Sequence, residues 1–84
     1  MTYHITIRPK AIKILERINA PFYSKIKDAI YSLANEPRPD GYIKLKGRDG
    51  YRIRVGQYRV IYDIHDDLLL INVISLGHRK DVYE

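Results

Sequence analysis

Apolar and polar positions change their spacing repeatedly along this chain, and each change marks an element. Residues 2–8 alternate, with Tyr3, Ile5 and Ile7 interleaved with Thr2, His4 and Thr6, the period-two signature of a half-buried strand. Pro9 suits a first helical turn. After it, Ala11, Ile14, Leu15 and Ile18 fall on one helical face and Lys10, Lys13, Glu16 and Arg17 elsewhere. Asn19-Ala20-Pro21 breaks this helix and starts a second, whose stripe is Phe22, Ile26, Ala29, Ile30 and Leu33. So short a break predicts an αα-hairpin. A Pro-rich connector, Glu36–Gly41, follows. Two short runs, Tyr51–Val55 and Tyr58–Ile64, then flank Gly56-Gln57, the Gly-first spacing of a two-residue type II′ hairpin. His65-Asp66-Asp67 reads as a polar turn and Leu68–Leu76 as a near-continuous apolar strand.

The order β-α-α-β-β-β predicts an α+β fold. Residues 1–84 are expected to form one small domain, its two-helix hairpin packed on one face of a mostly antiparallel four-stranded sheet. With a two-residue turn at Asp66-Asp67, Val60, Tyr62 and Ile64 share the covered face with Leu69, Ile71 and Val73. The opposite face then carries Arg52, Arg54, Arg59, Asn72 and Ile74. A one-residue slip in that turn would swap the faces of the last strand.

Composition narrows the function classes. Eighty-four residues without cysteine leave no disulfide and no thiolate metal site. No apolar run approaches the roughly 20 residues of a membrane span, and residues 1–10 lack the apolar core of a signal peptide. A cytoplasmic protein without membrane association is expected. Asp63, His65, Asp66 and Asp67 cluster within five residues, but a polar hairpin turn accounts for all four. Neither a metal nor another cofactor is expected. For Tyr3, Tyr31, Tyr51, Tyr58 and Tyr62, packing is favoured over a nucleic-acid surface.

The net charge of +5 matters because it is concentrated. Residues 44–62 carry Lys44, Lys46, Arg48, Arg52, Arg54 and Arg59 against Asp49 alone. The predicted hairpin sets Arg54 opposite Arg59, an unfavourable pairing of like charges, with Arg52 on the same face. Such a face suits an anion. The tail adds His78, Arg79 and Tyr83, one strand over from Arg59 and within reach of the rim of that face by a short turn at Gly77. Guanidiniums, an imidazole and a phenol suit metal-free RNA cleavage, in which the ribose 2′-OH attacks its own phosphate and the 5′-oxygen leaves. A base takes the 2′ proton, an acid protonates the leaving oxygen, and cations stabilise the phosphorane. His78 suits acid or base. Tyr83 suits the base once nearby arginines favour phenolate. A basic sheet face that binds nucleic acid or an acidic protein without chemistry fits the same residues.

The string LKGRDGYRIRVGQYRVIYDI, a hydrophobic strand and the closing ISLGHRKDVYE resemble the RelE branch of the RelE/ParE toxin superfamily over essentially the whole chain. The hairpin is shared across the superfamily, whereas GHRKDVY favours the RNase branch over the gyrase-directed ParE branch. The resemblance implies a type II toxin: a ribosome-dependent endoribonuclease (mRNA interferase) that cuts mRNA in the A site. Its partners would be ribosomal RNA, mRNA and a RelB-like antitoxin that neutralises it in a toxin–antitoxin hetero-oligomer. By position, Arg59 and Arg79 match arginines that hold the scissile phosphate, and Tyr83 matches a C-terminal tyrosine proposed as general base. Arg52 and Arg54 stand where well-known members carry lysines. His78 stands near a catalytic position of related toxins, as acid or RNA contact. Lys44, Lys46 and Arg48 are assigned to RNA binding. The alternative is a ParE-like gyrase inhibitor or a basic nucleic-acid-binding module.

Overall fold

The computed structural model describes residues 2–78 and 80. Two helices, α1 (Pro9–Glu16) and α2 (Phe22–Ser32), pack on a sheet of β1 (His4–Ile7), β2 (Ile43–Lys44), β3 (Tyr51–Val55), β4 (Tyr58–His65) and β5 (Leu70–His78). The strand order is β1-β5-β4-β3-β2. The α+β class and the two-helix layer agree with the reading of the sequence. The sheet has five strands rather than four, because Ile43 and Lys44 pair antiparallel with Arg52 and Tyr51. Two residues at the end of a Pro-rich connector carry too short a pattern to read as a strand. β1 runs parallel to β5, from His4 opposite Leu70 to Ile7 opposite Val73.

The core follows the predicted stripes. Ala11, Leu15, Ile26, Ile30 and Leu33 from the helices meet Ile53, Val60, Tyr62, Ile71, Val73 and Leu76 from the sheet. Tyr62 is wholly buried, yet its hydroxyl donates to the Pro37 carbonyl at 2.7 Å, which ties the connector down. Burial pushes its phenol up to about 12. Tyr3, Tyr51 and Tyr58 pack half-buried against the same core, as expected. Tyr31 does not; it is 52% exposed.

The β3–β4 hairpin forms as read. Gly56 has φ +59 while Gln57 keeps a negative φ, as a type II′ loop requires. Arg54 pairs with Arg59 and Arg52 with Ile61. The β4–β5 connection is longer than expected: a 3₁₀ turn, Asp66–Leu68, followed by Leu69 in the left-handed region at φ 49. His65 therefore pairs with Leu70. Four connecting residues in place of two leave the phase unchanged, so Ile71 and Val73 face the helices.

Further along β5 the phase does change. Tyr62 pairs with Val73 but Ile61 pairs with Ser75, leaving Ile74 as the extra residue of a β-bulge. The bulge turns Leu76 into the core, where it is 1% exposed. It carries His78 to the helix side as well. A strictly alternating β5 would have placed both with the arginines.

Candidate functional site

The hairpin and the C-terminal half of β5 meet at one end of the sheet. On the face away from the helices, Arg54 and Arg59 are opposite one another, and the next position across is Gly77. Gly77 has no side chain and is itself buried, so it adds no functional group beside Arg59. Arg54 is exposed and Arg59 half-buried. Arg52 shares the face but is only 5% exposed, because the 45–50 loop folds under the sheet there. Leu45 packs on Ile61 in a second small core, and its N–H donates to the Gly50 carbonyl at 3.0 Å. The three guanidiniums are thus graded from open rim to covered interior.

The remaining basic positions scatter. Lys46 and Arg48 are exposed on the loop. Lys44 pairs with Tyr51, one position out of phase with Arg52, so it lies at the sheet edge away from the arginine face. Arg79 and Tyr83 lie outside the described residues.

His78 departs from expectation. It does not stand with the arginines, because the bulge at Ile74 sets it across from Tyr58. The two rings meet edge to face with centroids 5.8 Å apart. Tyr58 in turn contacts Phe22 at 5.4 Å, and the Lys25 ammonium lies 5.7 Å from the Phe22 ring. The imidazole Nδ1 accepts a hydrogen bond from the Lys80 backbone N–H at 3.3 Å. That leaves the proton of the neutral ring on Nε2. No spacing in the sequence signals this placement, since a bulge is a one-residue irregularity inside an otherwise apolar run.

A second polar cluster lies at the opposite end of the sheet. Arg38 pairs with Asp66 at 3.0 Å and stacks on Tyr51 at 5.3 Å, while the Tyr3 hydroxyl donates to Asp66. The Arg38 and Tyr3 hydrogen bonds hold the Asp66 carboxyl below its ordinary range. The acidic turn is thus tied into a clamp between the connector and β1. Among the described residues no group of three or more potential ligands gathers into a metal cluster, and no helix is long and apolar enough to cross a membrane.

The site is thus a pair of facing arginines beside the end of the longest strand of a small mixed sheet under two helices. The family model of the ParE toxin of the type II toxin–antitoxin system parDE matches residues 5–83. The RelE of an archaeal RelE–RelB complex from Pyrococcus horikoshii is 32% identical, with a TM-score of 0.85 over 98% of this chain and all of that one. The mRNA interferase toxin RelE of Escherichia coli is 26% identical over 83 residues, 95% of this chain and 86% of its own. In the crystal structure of the intact E. coli RelBE complex, the matched chain is 25% identical with a TM-score of 0.78, over 90% of this chain and 95% of that one. The chain belongs to the RelE/ParE toxin superfamily, in its RelE-like branch.

Proposed function

We propose that this chain, acting as one domain over residues 1–84, is the toxin of a type II toxin–antitoxin pair. It is a cytoplasmic mRNA interferase that cuts mRNA on the ribosome and is neutralised by a RelB-like antitoxin. The observation that carries the reading is the Arg54–Arg59 pair beside Gly77. Opposed guanidiniums repel one another across a hairpin, and a phosphate bound between them would relieve that repulsion. Arginine suits a phosphate because its planar fork matches two oxygens at once. The relatives named for mRNA cleavage and for RelB complexes support the choice of RNA and of partner.

In this reading the 2′-oxygen bonds to phosphorus as the bond from phosphorus to the 5′-oxygen breaks. The products are a 2′,3′-cyclic phosphate and a 5′-hydroxyl. Arg59, Arg54 and Arg79 stabilise the charge gathering on the non-bridging oxygens, Tyr83 takes the 2′ proton, and a solvent water gives the departing 5′-oxygen its proton. Lys46 and Arg48 contact RNA backbone on the ribosome, and Lys44 does so from the sheet edge. Arg52, being covered, supports the face electrostatically instead of touching the strand. The reaction needs no metal, because guanidinium supplies the positive charge. Phosphate contacts position a strand without reading its bases, so the ribosome supplies the alignment that so small a face does not.

The test is mapping of mRNA 5′ ends on translated transcripts after induction. Cuts within coding regions are expected, falling about 10²- to 10³-fold in Arg59→Ala and comparably in Arg79→Ala and Tyr83→Phe. Undiminished cutting in an Arg59→Ala/Arg79→Ala double variant would overturn the site. The ParE description of the matching family favours a second reading, a non-cutting gyrase inhibitor. Toxicity with DNA-damage signalling and intact mRNA would select it.

A further inference from the structure

On the helix side of the same sheet end lies a cleft of about 380 Å³ that the chemistry above does not use. Its floor is Ile14, Ile18 and Leu76, its aromatic wall is Tyr58 with His78, and its rim carries Lys10 and Arg17. Among the described residues no carboxylate lines it. Three other clefts on the described residues each bring at least one: Glu36 and Asp40 beside α2, Asp49 and Asp63 beside β2, and Glu16 between the helices. The uncovered cleft chemistry is that of a single-stranded nucleic-acid site, in which a ring stacks a base while cations hold its backbone. The volume falls in the range of small-ligand sites.

We propose that this cleft is a subsite for one nucleoside of the RNA strand, its base against Tyr58 and His78 and its backbone phosphate on Lys10 and Arg17. The proposal rests on the mRNA interferase reading, since it places the nucleotide next to the phosphate held by Arg59. Adjacency supports it: Tyr58 and Arg59 are consecutive on β4 and point to opposite faces, as do Gly77 and His78 on β5. A strand passing over the end of the sheet therefore meets the arginines on one face and the rings on the other. His78 is fixed for the task. With Nδ1 engaged by Lys80, its Nε2–H is the available donor toward a base acceptor or a ribose hydroxyl.

The test is an NMR titration of the intact, isotopically labelled protein with 5′-adenosine monophosphate, ribose 5-phosphate and inorganic phosphate. The nucleotide is expected to shift Tyr58, His78, Ile14 and Ile18 resonances, whereas the two base-free probes should shift only positions near Lys10 and Arg17. Tyr58→Leu should weaken the nucleotide about tenfold and leave ribose 5-phosphate unchanged. Because Tyr58 also packs on Phe22, the exposed Arg17→Ala serves as a second variant, expected to weaken both. Inorganic phosphate reproducing the ring shifts, or nucleotide leaving the rings unmoved, overturns the subsite. Loss of the enzyme reading is registered separately, by intact mRNA after induction of the wild type.

Discussion

The hairpin tip offers a test in which sterics and backbone conformation can be separated. Gly56 and Gly47 both have positive φ, +59 and +73, but differ in surroundings. A Cβ at Gly56 would lie 2.7 Å from Phe22 Cε1, whereas one at Gly47 meets nothing within 4 Å. Alanine at either site incurs the left-handed penalty of about 1–2 kcal/mol. At Gly56 the Phe22 ring must also move, and it is held 5.4 Å from Tyr58. Giving up that ring pair costs about 0.5–1.5 kcal/mol more. Gly56→Ala should therefore lose about 1.5–3.5 kcal/mol and Gly47→Ala about 1–2 kcal/mol, read by urea unfolding with the slope unchanged. In thermal melts of so small a domain these losses correspond to drops of roughly 6–28 °C and 4–16 °C. Equal losses at the two sites would refute the docking of the tip on α2 as a source of stability.

Two further outcomes follow from charge. Arg54→Thr removes the like-charge pair and places a good strand former at an exposed site, so melting should rise by about 2–5 °C. Single-stranded RNA binding should weaken in the same variant, with its salt slope reduced by about 0.7; a fall in melting temperature, or an unchanged slope, would count against the anion-holding role. Asp66, whose carboxyl is held low by Arg38 and Tyr3, titrates in the unfolded chain near its ordinary value of about 3.9. The unfolded state then takes up protons first as pH falls, so the contribution is full above that value and fades through the lower folded value. Asp66→Asn should accordingly narrow its stability gap to the wild type below about pH 4 in acid-unfolding curves.

The residues that revealed the fold are those whose signals are local. Gly56-Gln57 between alternating runs specifies the hairpin and the Arg54–Arg59 pairing, and Pro9 and Pro21 mark where the helices begin. Long-range features left no such trace. The parallel docking of β1 on β5 is decided by which edge of β5 remains open, and Ile43–Lys44 becomes a strand only because the β3 edge lies beside it. Coverage of Arg52 depends on Leu45 finding Ile61 across a loop. The position of His78 turns on a single bulged residue, Ile74, whose apolar side chain suits either phase. The facing arginines were therefore legible and the aromatic cleft behind them was not.

The pairing of β1 with β5 also bears on how the chain is made. His4 finds its partner only at Leu70, and β5 lies between β1 and β4. A nascent chain that has not yet produced residues 70–78 holds two amphipathic helices and a hairpin with no strand to join β1 to it. Contacts so distant in sequence form late and slowly. At about 5–20 residues per second, the first seventy residues spend several seconds as an open chain. An apolar surface destined for the core is then exposed to chaperones or proteases, and the facing arginines do not yet sit beside Gly77. Toxicity in such a protein is a property that cannot arrive before the last strand.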